Sequence, residues 1–241
     1  VQIKSILKKA LKIAVLAVSL SVISLEAPYV HRKYIRNIAE ESVVQIFGEE
    51  GMGTGSHVQL PDGRIVILTN KHICKMTGPL MVKAVGEPLP IARKIIEISK
   101  EHDLCAIEPL DGHKGIKLGS APVLGDELYT LGHPRGDALN VAKGEYFDDK
   151  VIQMVEREQA DGSCLNGKHA SVDGLFGPVS VCVIESNTIQ VSSPTYPGNS
   201  GSPVVNKYGR LVAVIFAGDQ RIENSGEAVP LSYVKEFLNS L

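Results

Sequence analysis

The sequence predicts an all-β fold with helical segments confined to its two ends. Short apolar runs recur along most of the chain, and 23 glycines and 13 prolines in 241 residues supply the turns between them. A hydrophobic content of 44% is enough to bury a sizeable core.

Taken in order, residues 36–41 read as a short helical stretch, followed by strands near 43–48, 54–60, 64–69, 81–85, 91–98 and 103–108. Residues 109–125 connect this group to a second, with strands near 128–132, 138–146, 150–155, 179–185, 188–193, 202–206, 210–217 and 226–230. Residues 231–241 form a closing helix. The stretch from about 156 to 180 is expected to be a surface excursion.

The first thirty residues differ in kind. Lys4, Lys8, Lys9 and Lys12 precede an apolar run from Ile13 to Leu25, the layout of a basic region and an apolar region in a signal segment. Residues 1–30 are therefore expected to be a signal-like or membrane-anchor segment, which makes the protein secreted, periplasmic or membrane-associated, with residues 1–25 as the membrane contact. The run is short against the roughly 20 apolar residues of a spanning helix, and Pro28 directly follows the small residue at which cleavage is expected. An ordinary N-terminal helix packed on the barrel or on another subunit is the alternative.

Charge excludes one class of partner. With 25 basic and 27 acidic residues the net charge is -2, and no basic stripe with interleaved aromatics appears, so nucleic acid is not an expected partner.

The chemistry is concentrated in the run Pro197, Gly198, Asn199, Ser200, Gly201, Ser202, Pro203. A serine hydroxyl becomes a useful nucleophile when a base takes its proton and amide N–H groups receive the oxyanion. Gly198 lets the backbone curl so that its own N–H and that of Ser200 converge. The base is expected at His72, which follows the apolar strand Ile65–Leu68, and the group that orients it at Asp103, at the start of another apolar stretch. His31, His57, His102, His113, His133 and His169 have no such partner pattern and are read as surface or loop residues. Cys74 and Cys105 are expected to be buried free thiols. Cys164 and Cys182 bracket a glycine-rich stretch that a disulfide could close. A zinc site built from Cys164, His169 and Cys182 would lack a convincing fourth ligand and the usual close pair of ligands and is a remote option. The serine mechanism itself needs neither metal nor organic cofactor.

The order His72, Asp103, Ser200 and the segments Gly53–Ser56, Thr69–Ile73, Asp103–Ile107, Tyr129–Gly136, Gly198–Pro203 and Gly226–Leu231 resemble the trypsin-like, chymotrypsin-fold serine peptidases, nearest to their HtrA/Deg and glutamyl-endopeptidase branches. The resemblance covers about residues 42–241. It implies two six-stranded antiparallel β-barrels of the chymotrypsin type, roughly 42–110 and 125–230, with the cleft between them. It also implies a serine endopeptidase acting on protein or peptide substrates, with an oxyanion hole at Gly198 and Ser200. Thr195 and Tyr196 would form the base of the primary pocket and Phe216, Ala217 and Gly218 its wall. No carboxylate lies at the pocket base, and Ile215 stands where glutamyl endopeptidases carry a histidine, which points to a small or medium apolar residue before the cut. Asn199 is neutral, so activation by ion pairing with a freed N-terminus is not expected, and no PDZ module is expected after the last helix. Two alternatives stay open: a catalytically silent protease-like binding protein, and a protease that processes only its own precursor.

Overall fold

The structure, a computed structural model, describes residues 29–156, 168–174, 177–218 and 224–241. The signal-like segment therefore lies outside the described residues except for its last two, which begin a helix, α1, of residues 29–42. Two compact units divide the chain, residues 1–37 and 38–241, and all strands among the described residues belong to the second. Among the described residues no helix is long and apolar enough to cross a membrane.

The first sheet is built from β1 (Val43–Gly48), β2 (Gly51–Gln59), β3 (Ile65–Thr69), β4 (Met81–Ala84), β5 (Ile91–Ala92), β6 (Ile95–Ile98) and β7 (Cys105–Ile107). Its order is β5-β4-β1-β2-β3-β7-β6, and every pairing is antiparallel. Val44, Ile46, Ile67, Val82 and Ile107 meet inside it. Each aliphatic side chain buried this way contributes about 1.5–3 kcal/mol. Among the described residues no ladder joins β5 to β6, so this half is a curled sheet and not the closed six-stranded barrel that was expected. The expected strand 91–98 is in fact two strands, because the chain leaves the β4 ladder at Ala92 and joins β7 at Ile95.

The second sheet contains β8 (Glu127–Gly132), β9 (Asn140–Glu156), β10 (Lys168–Gly174), β11 (Gly177–Val191), β12 (Pro203–Asn206), β13 (Leu211–Gly218) and β14 (Gly226–Pro230). A pairing of β11 with β9 closes six of these strands into a barrel around Leu128, Ile189, Val204, Val212 and Ile215, and β10 extends it as a seventh. Where two strand pairs were expected, β9 and β11 are single long strands. The polar run Asp148–Lys150 does not end β9, because its backbone pairs with Thr188–Gln190 of β11. The expected surface excursion at 156–180 likewise contains β10, hydrogen-bonded in register with β11.

The connection between the sheets holds both of them. Ile116 exchanges backbone bonds with His57 and Gln59, and Leu211 does so with Lys117 and Gly119. Gly115 is required at this crossing, since a Cβ there would lie 2.6 Å from the Gln59 nitrogen. The closing helix, α3 (Leu231–Asn239), buries Leu231, Val234, Phe237 and Leu238, a stripe at helical spacing. On another side it meets the turn between β6 and β7, where half-buried Tyr233 stacks on His102 with ring centroids 3.9 Å apart.

Two of the histidines read as surface residues are buried. His57, on β2, is fully enclosed because both faces of that strand are covered, and His133 is 5% exposed beneath the turn that follows β8. His57 accepts from the Leu110 N–H at Nε2 (3.1 Å) and lies 3.0 Å from the Ser42 carbonyl at Nδ1. A carbonyl can only accept, so Nδ1 carries the proton of a neutral ring. Burial pushes the His57 pKa down to about 4, with the nearby His113 and Arg93 acting in the same direction.

Candidate active site

The segment after β3 turns at once into α2 (Lys71–Cys74), a single turn of helix that has no side-chain cap of its own. Asp103 fixes it from outside. One carboxylate oxygen accepts from the His72 backbone N–H (3.0 Å) and the other lies 2.7 Å from His72 Nδ1, while the Asp103 carbonyl accepts from Asn70 Nδ2 (2.9 Å). Because an ionised carboxylate only accepts, the proton of the neutral imidazole sits on Nδ1 and Nε2 is left with a lone pair. The Asp103 side chain is 13% exposed and the His72 ring 47%, so the acid is enclosed and the base open. Asp103 itself precedes β7, in a tight turn held by Ser99 N–H to Leu104 carbonyl (3.0 Å) and Leu104 N–H to His102 carbonyl (2.8 Å).

Cys74 and Cys105 are not free thiols: they form a disulfide between α2 and β7. The expectation of free thiols failed because β3 and β7 are neighbours, which aligns Thr69 with Cys105 and brings the two sulfurs together. Cys182 is also disulfide-bonded.

The loop 197–203 leads into β12 beside the C-terminal half of β13. Its two alternate N–H groups are engaged, that of Asn199 with the Tyr196 carbonyl (3.0 Å) and that of Gly201 with the Ile215 carbonyl (2.8 Å). Among the described residues the N–H groups of Gly198 and Ser200 donate to no protein acceptor. Two unspent donors separated by one residue are what an oxyanion requires. Gly198 has φ +94°, and a Cβ on it would lie 2.6 Å from the His133 carbonyl. The half-buried Ser200 donates its hydroxyl to the Phe216 carbonyl (3.3 Å), so the structure brings His72 and Asp103 into contact and leaves Ser200 with a different partner.

Three residues without an expected role hold this loop. Thr54 of β2 donates its hydroxyl to the Gly198 carbonyl (2.7 Å), receives the His133 N–H at the same oxygen (3.1 Å), and donates its own N–H to the Ser200 carbonyl (2.8 Å). Arg135, at φ 56°, donates its N–H to the Pro197 carbonyl (2.6 Å) and places its guanidinium 4.6 Å from the Tyr196 ring centroid. In a trans peptide the C=O and N–H point in opposite directions, so holding the Pro197 carbonyl also aims the Gly198 N–H. Burial lowers the pKa of His133, whose Nδ1 lies 3.0 Å from the Asp137 carbonyl. Both segments were legible as motifs, Gly53–Ser56 and Tyr129–Gly136, but their hydrogen bonds cross the whole domain.

The expected pocket residues are neighbours. Half-buried Thr195 faces two glycines: a Cβ on Gly226 would lie 2.6 Å from its hydroxyl, and one on Gly218 would lie 3.1 Å from its Cβ. Tyr196 is 43% exposed at the rim. Ile215 is fully buried, whereas Ala217 and Gly218 are half-buried. Among the described residues β12 pairs with β13 no further than Val214, so residues 216–218 keep one backbone edge unpaired.

Comparison with known proteins agrees with this architecture. Residues 53–214 match the family model described as a trypsin-like peptidase domain. The chain is 30% identical over 193 residues to Protease Do-like 2, chloroplastic, of Arabidopsis thaliana, covering 77% of this chain and 27% of that protein. It is 24% identical over 225 residues to the serine protease Do-like HtrA of Bacillus subtilis, covering 86% of this chain and 45% of that protein. It therefore spans less than half the length of these relatives. Among solved structures, the Rv3671c protease from M. tuberculosis in its active form superposes with a TM-score of 0.66 at 18% identity, covering 88% of this chain and 86% of that one. The family match extends over more than half of the chain, which belongs to the trypsin-like peptidase domain family and has HtrA/Deg-type proteases among its relatives.

Proposed function

We propose that the chain is a serine endopeptidase hydrolysing peptide bonds through His72, Asp103 and Ser200. The observation that carries this reading is the combination of an imidazole held by Asp103 in the tautomer a base needs with two unspent N–H groups beside Ser200. For attack, the Ser200 hydroxyl leaves the Phe216 carbonyl and turns about its side-chain bond toward His72. Nε2 takes the proton as the oxygen adds to the scissile carbonyl. Asp103 stabilises the imidazolium, and the Gly198 and Ser200 N–H groups bind the oxyanion. The imidazolium then gives its proton to the leaving amine, and water, activated by the same imidazole, releases the acyl group.

The unpaired edge at 216–218 supports binding of the substrate as an added strand, with the freed Phe216 carbonyl accepting from its backbone. Thr195, packed against Gly218 and Gly226, makes a short, uncharged pocket floor that favours a small or medium apolar residue before the cut. Disulfides at Cys74–Cys105 and Cys182 favour an oxidising compartment, in keeping with a secreted, periplasmic or membrane-associated protein.

Incubation of the full chain with a proteome-derived peptide library, followed by mass spectrometry of the new termini, tests the reading. Cleavage after small apolar residues that is absent in Ser200→Ala is expected. An intact library with a folded wild type would favour the binding-protein alternative.

A further inference from the structure

The disulfide Cys74–Cys105 occupies a particular place. Each sulfur is two residues beyond a member of the candidate pair, Cys74 after His72 and Cys105 after Asp103. The base is carried by one turn of helix with no side-chain cap, and a turn this short has no stability of its own. Its first half is held by polar contacts to Asp103 and its second half by the sulfur bridge. The polar half is partly open to water, with the His72 ring 47% exposed, whereas Cys74 and Cys105 are 5% and 0% exposed and pack with Ile46, Ile67 and Ile73. A hydrogen bond whose His72 side is open to solvent is a weak restraint, because water competes there for the imidazole. The covalent link is not subject to that competition.

We propose that Cys74 and Cys105 are positioning residues for catalysis, and that their disulfide holds the His72 imidazole against Asp103 in the orientation that proton transfer requires. The proposal rests on the serine-peptidase reading for its kinetic consequence but not for its geometric one. Reduction by a dithiol transfers two electrons and two protons to the bridge, leaves two buried thiols, and closes the reductant into its own disulfide. The α2 turn is then held by its polar contacts to Asp103 and by the packing of Ile73 and Cys74, with no covalent tie to β7.

The test compares wild type, its reduced and reoxidised forms, and the double variant Cys74→Ala/Cys105→Ala, all as the full chain and below their melting temperatures. The far-downfield proton resonance of His72 Nδ1 reads the contact with Asp103 without reference to activity, and fluorophosphonate labelling of Ser200 reads its kinetic effect. Loss of the bridge should broaden or shift that resonance and slow labelling by about 10- to 100-fold, the scale set by a displacement of about 1 Å at reacting groups. Reoxidation should restore both. If the double variant fails to fold, the reduced and reoxidised forms of a Cys164→Ala/Cys182→Ala background supply the comparison, because in wild type the dithiol also opens the Cys182 bridge. An unchanged resonance together with an unchanged labelling rate, alongside only a lower melting temperature, would overturn the proposal and leave a purely structural disulfide. Should the oxidised wild type never label, the peptidase reading fails, and the resonance still decides whether the bridge holds His72 to Asp103.

Discussion

His57 makes the stability of the domain dependent on acid in a way that can be calculated. Its ring is fully enclosed, with Nδ1–H directed at the Ser42 carbonyl and Nε2 already receiving the Leu110 N–H. A second ring proton would have to sit on Nε2, against that N–H, in a site water does not reach. The folded pKa of about 4 lies below the ordinary 6.5, so the unfolded chain takes up the proton first as pH falls. The unfolded state therefore binds more protons across this window, and stability rises with pH. The contribution is complete above about pH 6.5, is lost progressively toward pH 4, and changes no further below that. A difference of this size corresponds to about 3 kcal/mol at 1.36 kcal/mol per pH unit. The perturbation is His57→Asn, which removes the titrating group, made in a Ser200→Ala background to prevent self-digestion. Urea unfolding monitored by circular dichroism should show wild-type stability falling more steeply than that of the variant between about pH 7 and pH 4. Parallel curves would refute the reasoning, since every other titrating group is common to both proteins.

Three further outcomes follow from the site. Gly198→Ala places a Cβ 2.6 Å from the His133 carbonyl at a φ that disfavours any side chain, so the oxyanion loop should shift and kcat fall by about 10²–10³, with substrate affinity measured on a Ser200→Ala background little changed. Asp103→Asn offers His72 an amide that cannot impose the Nδ1–H tautomer, and steady-state kinetics should show kcat reduced by about 10⁴ in a protein with an unaltered circular dichroism spectrum. Thr54→Val leaves the Gly198 carbonyl and the His133 N–H without their partner, at about 1–3 kcal/mol for each buried group. Thermal unfolding should register that loss, and labelling of Ser200 should slow with it.

The candidate site is more legible in the sequence than its supports. His72, Asp103 and Ser200 each follow or precede an apolar run, and a base, an acid and a glycine-flanked serine are chemically distinctive wherever they occur. Thr54 is not distinctive: a threonine within a β-hairpin is ordinary, and its importance lies in a hydrogen bond to a residue 144 positions away. The pairing of Cys74 with Cys105 depends on β3 lying beside β7, a tertiary fact that spacing does not encode. His57 was misread because a strand covered on both faces loses the alternation that marks inward and outward positions, and Ser56, His57 and Val58 are all buried. Strand limits failed in the same manner, since Asp148 and Asp149 read as a turn in isolation and are held extended by their partner strand.

The central claim is that Ser200 is a nucleophile activated by His72. Intact-protein mass spectrometry after fluorophosphonate treatment tests it directly, comparing wild type with Ser200→Ala and His72→Ala. The account predicts one adduct on wild type, mapped to Ser200, and none on either variant. A folded wild type that takes up no adduct, or an adduct that survives Ser200→Ala, would contradict it.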